Sequence, residues 1–223
     1  MKKHLLLIVV TILVSTTLVF SQTSATDLAA GLKAVDQYTL VGEKSFLTGY
    51  EAQNPDGSIN VVVEIPAGTT AKWEVTKPEG HLKWEFRDGK PRVVKYLSYP
   101  GNYGMVPRTL LPKELGGDGD PLDVIVLGPA VPRGSVVRVR LIGVLKLLDD
   151  GERDDKLLAA IEGESLANVD DLDDLNESFP GVTTIIETWF SNYKGPGVLK
   201  SEGFLDVDEA ERILESAIKA FGK

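Results

Sequence analysis

The chain of 223 residues has no cysteine and only two histidines, His4 and His81. The first absence excludes disulfides, thiol nucleophiles and thiolate metal sites, so stability must come from the core and from any bound ions. The second removes the usual zinc site and any Ser-His-Asp triad not built on His81. A metal held by such a chain would have oxygen ligands, which selects hard cations such as Mg²⁺, Mn²⁺ or Ca²⁺. Positive charge is also short: 24 basic residues stand against 33 acidic ones, a net charge of −9. That balance argues against nucleic acid or an anionic membrane as a partner. The longest apolar run, Leu5 to Phe20, is shorter than the roughly 20 residues a stable membrane span needs.

That run follows Lys2-Lys3 and precedes the small residues Ser21-Gln22-Thr23-Ser24-Ala25, the layout of a secretory signal peptide. The expectation is that residues 1–25 are removed and the product is exported to a periplasmic or extracellular space. An uncleaved signal anchor tethering it to the membrane is the minor alternative. Losing Lys2 and Lys3 takes the basic count from 24 to 22 against 33 acids, a net charge near −11. Residues 26–223 suit a single domain with an N-terminal extension over 26–58.

Strand-like segments begin at Ile59: Ile59 to Ile65, Ala71 to Val75, Leu82 to Phe86, Val93 to Leu97, Val124 to Leu127, and Ser135 to Leu148 interrupted at Gly143. Helical patterns come later, over Glu164 to Glu177, Val182 to Asn192 and Asp206 to Phe221, the last with Ile213, Leu214, Ile218 and Phe221 on one face. Strands first and helices last predict an α+β fold, with the strands as a small closed or nearly closed barrel.

The densest chemistry lies in Asp118-Gly119-Asp120-Pro121-Leu122-Asp123, three carboxylates in a tight turn that leads into Val124-Ile125-Val126-Leu127. Such a cluster repels itself unless cations neutralise it. It is not an EF-hand, because Leu122, Asp123 and Ala130 stand where that loop needs an acid or amide, a glycine and a glutamate. A second acidic loop, Asp149 to Lys156, follows the long strand, and Glu64 and Glu74 lie on earlier strands. Any one of these alone reads as a solvated acid at a strand end, and Asp170 to Asp174 reads fully so, as a turn opening a helix. Lys72, Arg92, the aromatic turn Tyr99 to Gly104, Lys156 and Tyr193-Lys194 supply cations and hydroxyls that are each weak signals alone.

Taken in order, these segments resemble the soluble family I inorganic pyrophosphatases, whose signature matches Asp118 to Val124. The resemblance runs from Ile59 to Lys194 and includes Val63-Glu64-Ile65-Pro66-Ala67, Lys72-Trp73-Glu74, Asn102-Tyr103-Gly104, Gly143 to Lys146, Asp149, Asp154, Lys156 and Tyr193-Lys194. It implies a five-stranded OB-like β-barrel with flanking helices, and Mg²⁺-dependent hydrolysis of pyrophosphate by direct attack of a metal-activated water. It further implies that Asp118, Asp123 and Asp154 hold the principal Mg²⁺, that Asp149 with Asp154 holds a further one, and that Glu64 assists through water. Asp120 would be the base, and Lys72, Arg92, Tyr103, Lys156, Tyr193 and Lys194 would bind phosphate oxygens, with Glu74 a further polar site residue. Mn²⁺ or another divalent ion could replace Mg²⁺, and a homo-oligomer is expected. Two rivals stay open: a non-catalytic metal- or phosphate-binding protein on the same scaffold, and a hydrolase of another small phosphoanhydride.

Overall fold

The Val-, Ile- and Leu-rich runs become a closed barrel because one strand is long enough to pair along both edges. The computed structural model describes residues 28–113, 116–163 and 165–222; the expected signal peptide lies outside them. In chain order the first strands are β1 (Lys33–Asp36), β2 (Thr39–Val41), β3 (Ile59–Ile65), β4 (Trp73–Val75), β5 (Leu82–Trp84), β6 (Phe86–Arg87) and β7 (Lys90–Pro91). They are followed by β8 (Asn102–Met105), β9 (Asp123–Leu127), β10 (Val136–Asp149), β11 (Glu152–Arg153) and β12 (Lys156–Ile161). Helices α1 (Leu172–Ser178) and α2 (Val182–Asn192), strand β13 (Leu199–Leu205) and helix α3 (Val207–Phe221) complete the described chain.

β10 spans 14 residues. One edge pairs first with β3, through Val136↔Val62 to Val139↔Ile59, and then with β13. Its other edge pairs with β12 and, as a hairpin, with β11. Since β3 pairs β8, β8 pairs β9 and β9 pairs β12, five strands form a ring. This is the expected OB-like barrel. All its pairings are antiparallel except β9 with β12.

Strand alternation feeds two cores. Val124, Val126, Leu157 and Ala159 pack with Ala210, Leu214 and Ala217 of α3. Ile125, Leu127, Leu158 and Ala160 pack on the other side with Leu175 of α1 and with Ile186, Trp189 and Phe190 of α2. Strands buried on both faces read as unbroken apolar runs. Each fully buried side chain of this kind contributes about 1.5–3 kcal/mol relative to exposure. Asp206 caps α3, its carboxylate accepting from the Glu209 N–H at 3.0 Å, with acids in the first turn and Lys219 in the last.

Several expectations change. The first helix is Leu172–Ser178 rather than a segment from Glu164, because Asp171 takes the N-cap and accepts from the Asp174 N–H. Val93 to Leu97 is not a strand. Val93 makes one bridge to Ala71, after which Tyr96 and Leu97 stand exposed with no strand beside them. The buried face of α3 is Ala210, Leu214 and Ala217, with Ile213 and Ile218 at its margin and Phe221 exposed. Within the extension, the described residues 28–58 include β1 and β2, which continue through β5 to β4 in a separate four-stranded sheet. β8, β12 and β13 are strands that the sequence patterns do not announce. In β8, Gly104 lies opposite Val63, where a Cβ would come within 1.8 Å of the Val62 carbonyl oxygen. Only glycine lets these two barrel strands approach so closely.

Candidate active site

The signature turn is held from behind. Gly119 has φ +84°, a left-handed conformation suited to glycine, and its N–H donates to the Leu111 carbonyl at 2.8 Å. Leu111 in turn donates to the Asp120 carbonyl at 2.8 Å, and the Asp120 N–H donates to the Asp118 carboxylate at 2.8 Å. Buried Thr109 accepts from the Leu122 N–H at 2.9 Å and donates to the Val106 carbonyl at 2.7 Å. The turn is therefore fixed before any ligand meets it. The Arg153 N–H donates to the Gly116 carbonyl at 2.8 Å and ties in the second acidic loop.

Parallel pairing of β9 with β12 sets Asp123 beside Lys156. The Lys156 ammonium is buried between the carboxylates of Asp123 and Asp154, at 2.6 Å from Asp154. Lys194, just past the end of α2, pairs with Asp149 at the end of β10. Arg92 donates to Glu85 at 2.5 Å. Lys72 lies 3.9 Å from Glu74 and 5.2 Å from the centre of the Tyr103 ring. Glu64 is buried and accepts from the Val75 N–H at 2.6 Å. The tyrosines are backed by aromatic packing. Tyr193 stacks on Trp189 with centroids 4.7 Å apart, and Tyr103 on Phe190 at 5.8 Å.

All the site residues named from the sequence line one cleft of about 470 Å³: Glu64, Lys72, Glu74, Arg92, Tyr103, Asp118, Asp120, Asp123, Asp149, Asp154, Lys156, Tyr193 and Lys194. Two further charged residues line it that the sequence did not reveal. Lys77 pairs with Asp120 and donates to the Gly119 carbonyl at 2.6 Å across 42 residues of sequence, so no local spacing points to it. Glu85 could have been found only through the β-turn that brings it to Arg92.

The electrostatics are those of a cation site. Burial pushes Glu64 up to about 8, with Asp123 and Glu74 repelling its charge and Lys72 opposing them. Burial raises Asp118, helped by Asp120 and Asp123, and it raises Asp154, helped by Asp123. Burial also raises Glu74. Asp123 is the exception: burial opposes its charge, but Lys156 and Lys72 hold it below the usual carboxylate range. Burial works against Lys156 too, and Asp123 with Asp154 keeps it firmly protonated.

Among the described residues, no three acidic side chains already share one ligand point. Asp123, Asp154 and Asp149 turn to lysines instead. The donor set nevertheless fits a hard divalent ion. Its ligands are all oxygen, and several are carboxylates whose charge is disfavoured by burial and mutual repulsion, which a bound cation relieves. Eight acids face five bases in the cleft, so an anion would be repelled unless cations entered with it.

Such a barrel, with a carboxylate-rich and lysine-rimmed cleft, suits a metal-assisted hydrolase of a small anionic substrate on an OB-type fold. The inorganic pyrophosphatase family matches residues 61–222. The inorganic pyrophosphatase of Agrobacterium fabrum is 38% identical over 176 residues, covering 76% of this chain and 93% of that protein. The soluble inorganic pyrophosphatase 1 of Chlamydomonas reinhardtii, a chloroplastic protein, is 38% identical over 152 residues, covering 63% of this chain. This chain spans only 54% of that longer relative. The crystal structure of the type I inorganic pyrophosphatase from Toxoplasma gondii superposes with a TM-score of 0.77 at 28% identity, over 85% of this chain and 96% of that one. The chain belongs to the inorganic pyrophosphatase family.

Proposed function

We propose that this protein hydrolyses inorganic pyrophosphate to two orthophosphates with Mg²⁺, the water oxygen bonding to one phosphorus as the bridging P–O bond breaks. The observation that carries the reading is the cleft itself, where acids able to hold cations and bases able to hold phosphate line one space of about 470 Å³. Mg²⁺ bound there lowers the pKa of the attacking water and neutralises phosphate oxygens. Asp118, Asp123, Asp149 and Asp154 hold the ions, with Glu64 assisting through water. Asp120 takes the proton from the water. Lys72, Arg92, Tyr103, Lys156, Tyr193 and Lys194 bind phosphate oxygens and stabilise the charge that collects on the leaving phosphate. Lys156 and Lys194 already stand against the carboxylates that ions would neutralise, so charge released from one partner is at hand for the other. Phosphate release from pyrophosphate is expected with Mg²⁺ and should fall to background in EDTA. No release with any of Mg²⁺, Mn²⁺, Zn²⁺ or Ca²⁺ would leave a binding protein, and faster cleavage of a nucleotide or short polyphosphate would change the substrate.

The reading extends to location. Lys2-Lys3, the apolar run Leu5 to Phe20 and the small residues that follow support export. N-terminal sequencing of the protein recovered outside the cytosol should begin near residue 26; an intact N-terminus in the cytosolic fraction would refute export.

A further inference from the structure

Lys146 and Asp155 form a buried ion pair that the chemistry above does not use. They are 8% and 5% exposed. The Asp155 carboxylate accepts from the Lys146 ammonium through one oxygen and from the Leu147 N–H, at 3.1 Å, through the other. Buried pairs are often no more stabilising than apolar side chains of the same volume, so fold stability alone does not account for this one.

The surrounding hairpin offers a reason. Leu148 pairs with Arg153 and Leu145 with Lys156, a register that places Leu147 opposite Asp154 and Lys146 opposite Asp155. Yet strand structure stops at Arg153 and resumes at Lys156. In the gap the Asp154 N–H still donates to the Leu147 carbonyl at 3.0 Å. The return bond is redirected: the Leu147 N–H goes to the Asp155 side chain in place of the Asp154 carbonyl. Alternation then sends Asp154 and Lys156 into the active-site cleft. It sends Arg153 and Asp155 to the reverse face, where with Lys146 they line a second cavity of about 330 Å³.

We propose that Asp155 is a positioning residue for the active site. By holding Leu147 and Lys146 from behind, it takes the Leu147 N–H away from the Asp154 carbonyl, leaves the Asp154 N–H in the ladder, and so fixes the angle at which the Asp154 carboxylate and the Lys156 ammonium enter the cleft. The activity part of this inference rests on the pyrophosphatase reading; the metal-binding part does not. The test compares wild type, Asp155→Ala, Asp155→Asn and the apolar double variant Lys146→Met/Asp155→Leu, well below their unfolding temperatures. Asp155→Ala should weaken Mg²⁺ binding, measured calorimetrically without substrate, and lower kcat by about tenfold each, the scale of outer partners of metal ligands. KM for pyrophosphate should move much less. Asp155→Asn, which keeps an oxygen for Leu147, should recover most of both. The apolar pair, which fills the volume, should fold and still bind Mg²⁺ weakly, covering the case in which the alanine variant does not fold. Wild-type Mg²⁺ affinity in the alanine variant, or in the apolar pair, overturns the proposal. A wild-type chain that binds Mg²⁺ but releases no phosphate would overturn the functional reading instead, and the calorimetric comparison would still decide the role of Asp155.

Discussion

Asp120→Asn is expected to lower kcat for pyrophosphate by about 10² or more, the usual contribution of a positioned general base, equivalent to about 2.7 kcal/mol of transition-state stabilisation. The substitution keeps the shape of the side chain and removes its basicity. Asp120 suits the role because its position differs from those of its neighbours. Asp123 is committed to Lys156 and Asp118 receives the Asp120 N–H, whereas the Asp120 carboxylate is half exposed at the cleft and pairs with Lys77, itself half exposed. The turn itself is held by Leu111 and Thr109, so the variant should bind Mg²⁺ and fold as the parent does. Steady-state kinetics at saturating Mg²⁺ check this, with KM expected to change little. Near-normal turnover would assign the proton to another group.

Lys156→Met should be the most destabilising single change in the site. It removes a buried ammonium and leaves Asp123 and Asp154 facing each other with only Lys72 and Lys194, neither in direct contact with them, to offset their charge. Breaking a buried pair in this way costs about 3–5 kcal/mol, and in a domain of this size each kcal/mol lowers Tm by roughly 2–4 °C. The loss should be largest in EDTA and should shrink as Mg²⁺ is added, since an ion that binds only the folded state stabilises it by mass action. Activity should not return with the stability, because the phosphate has lost a cation. Thermal unfolding in EDTA and across a Mg²⁺ titration, alongside a hydrolysis assay, measures both. An unchanged Tm in EDTA would mean that the two carboxylates find other partners.

The acidic turn was legible because everything it needs is local: three aspartates, a glycine for the left-handed residue, and an apolar strand behind. The long strand and the helices at Val182 and Asp206 were legible for similar reasons, through apolar runs, caps and acidic first turns. β8 was not, because Asn102-Tyr103-Gly104 carries a glycine and an asparagine and becomes a strand only through its neighbours. Asn102 is fully buried, accepting from the N–H groups of Ala67 and Val131 and donating to the Pro129 carbonyl at 2.9 Å. None of those partners lies nearby in sequence. β12 was hidden for another reason, since Leu-Leu-Ala-Ala suits a helix at least as well as a strand and pairing between β9 and β10 decides the matter. Val93 to Leu97 shows the converse, strand-like residues with no strand to join. The residues named from the chain converge on one cleft, but Lys77 and Glu85 beside them were not named, and the pairings could not be read. Nothing local says that Lys156 belongs between Asp123 and Asp154.

The parallel alignment of β9 with β12 also bears on how the barrel assembles. Both strands are short and apolar after their first residue, so hydrophobicity alone would tolerate a shift along one another. Sliding by one position would set Leu157 beside Asp123 and turn alternate residues to the wrong face. The carboxylate would then be stranded against a hydrocarbon side chain with its ammonium partner displaced. The charges that prepare the cleft for substrate thus act, before any substrate is present, as an alignment mark that rejects the misfolded register.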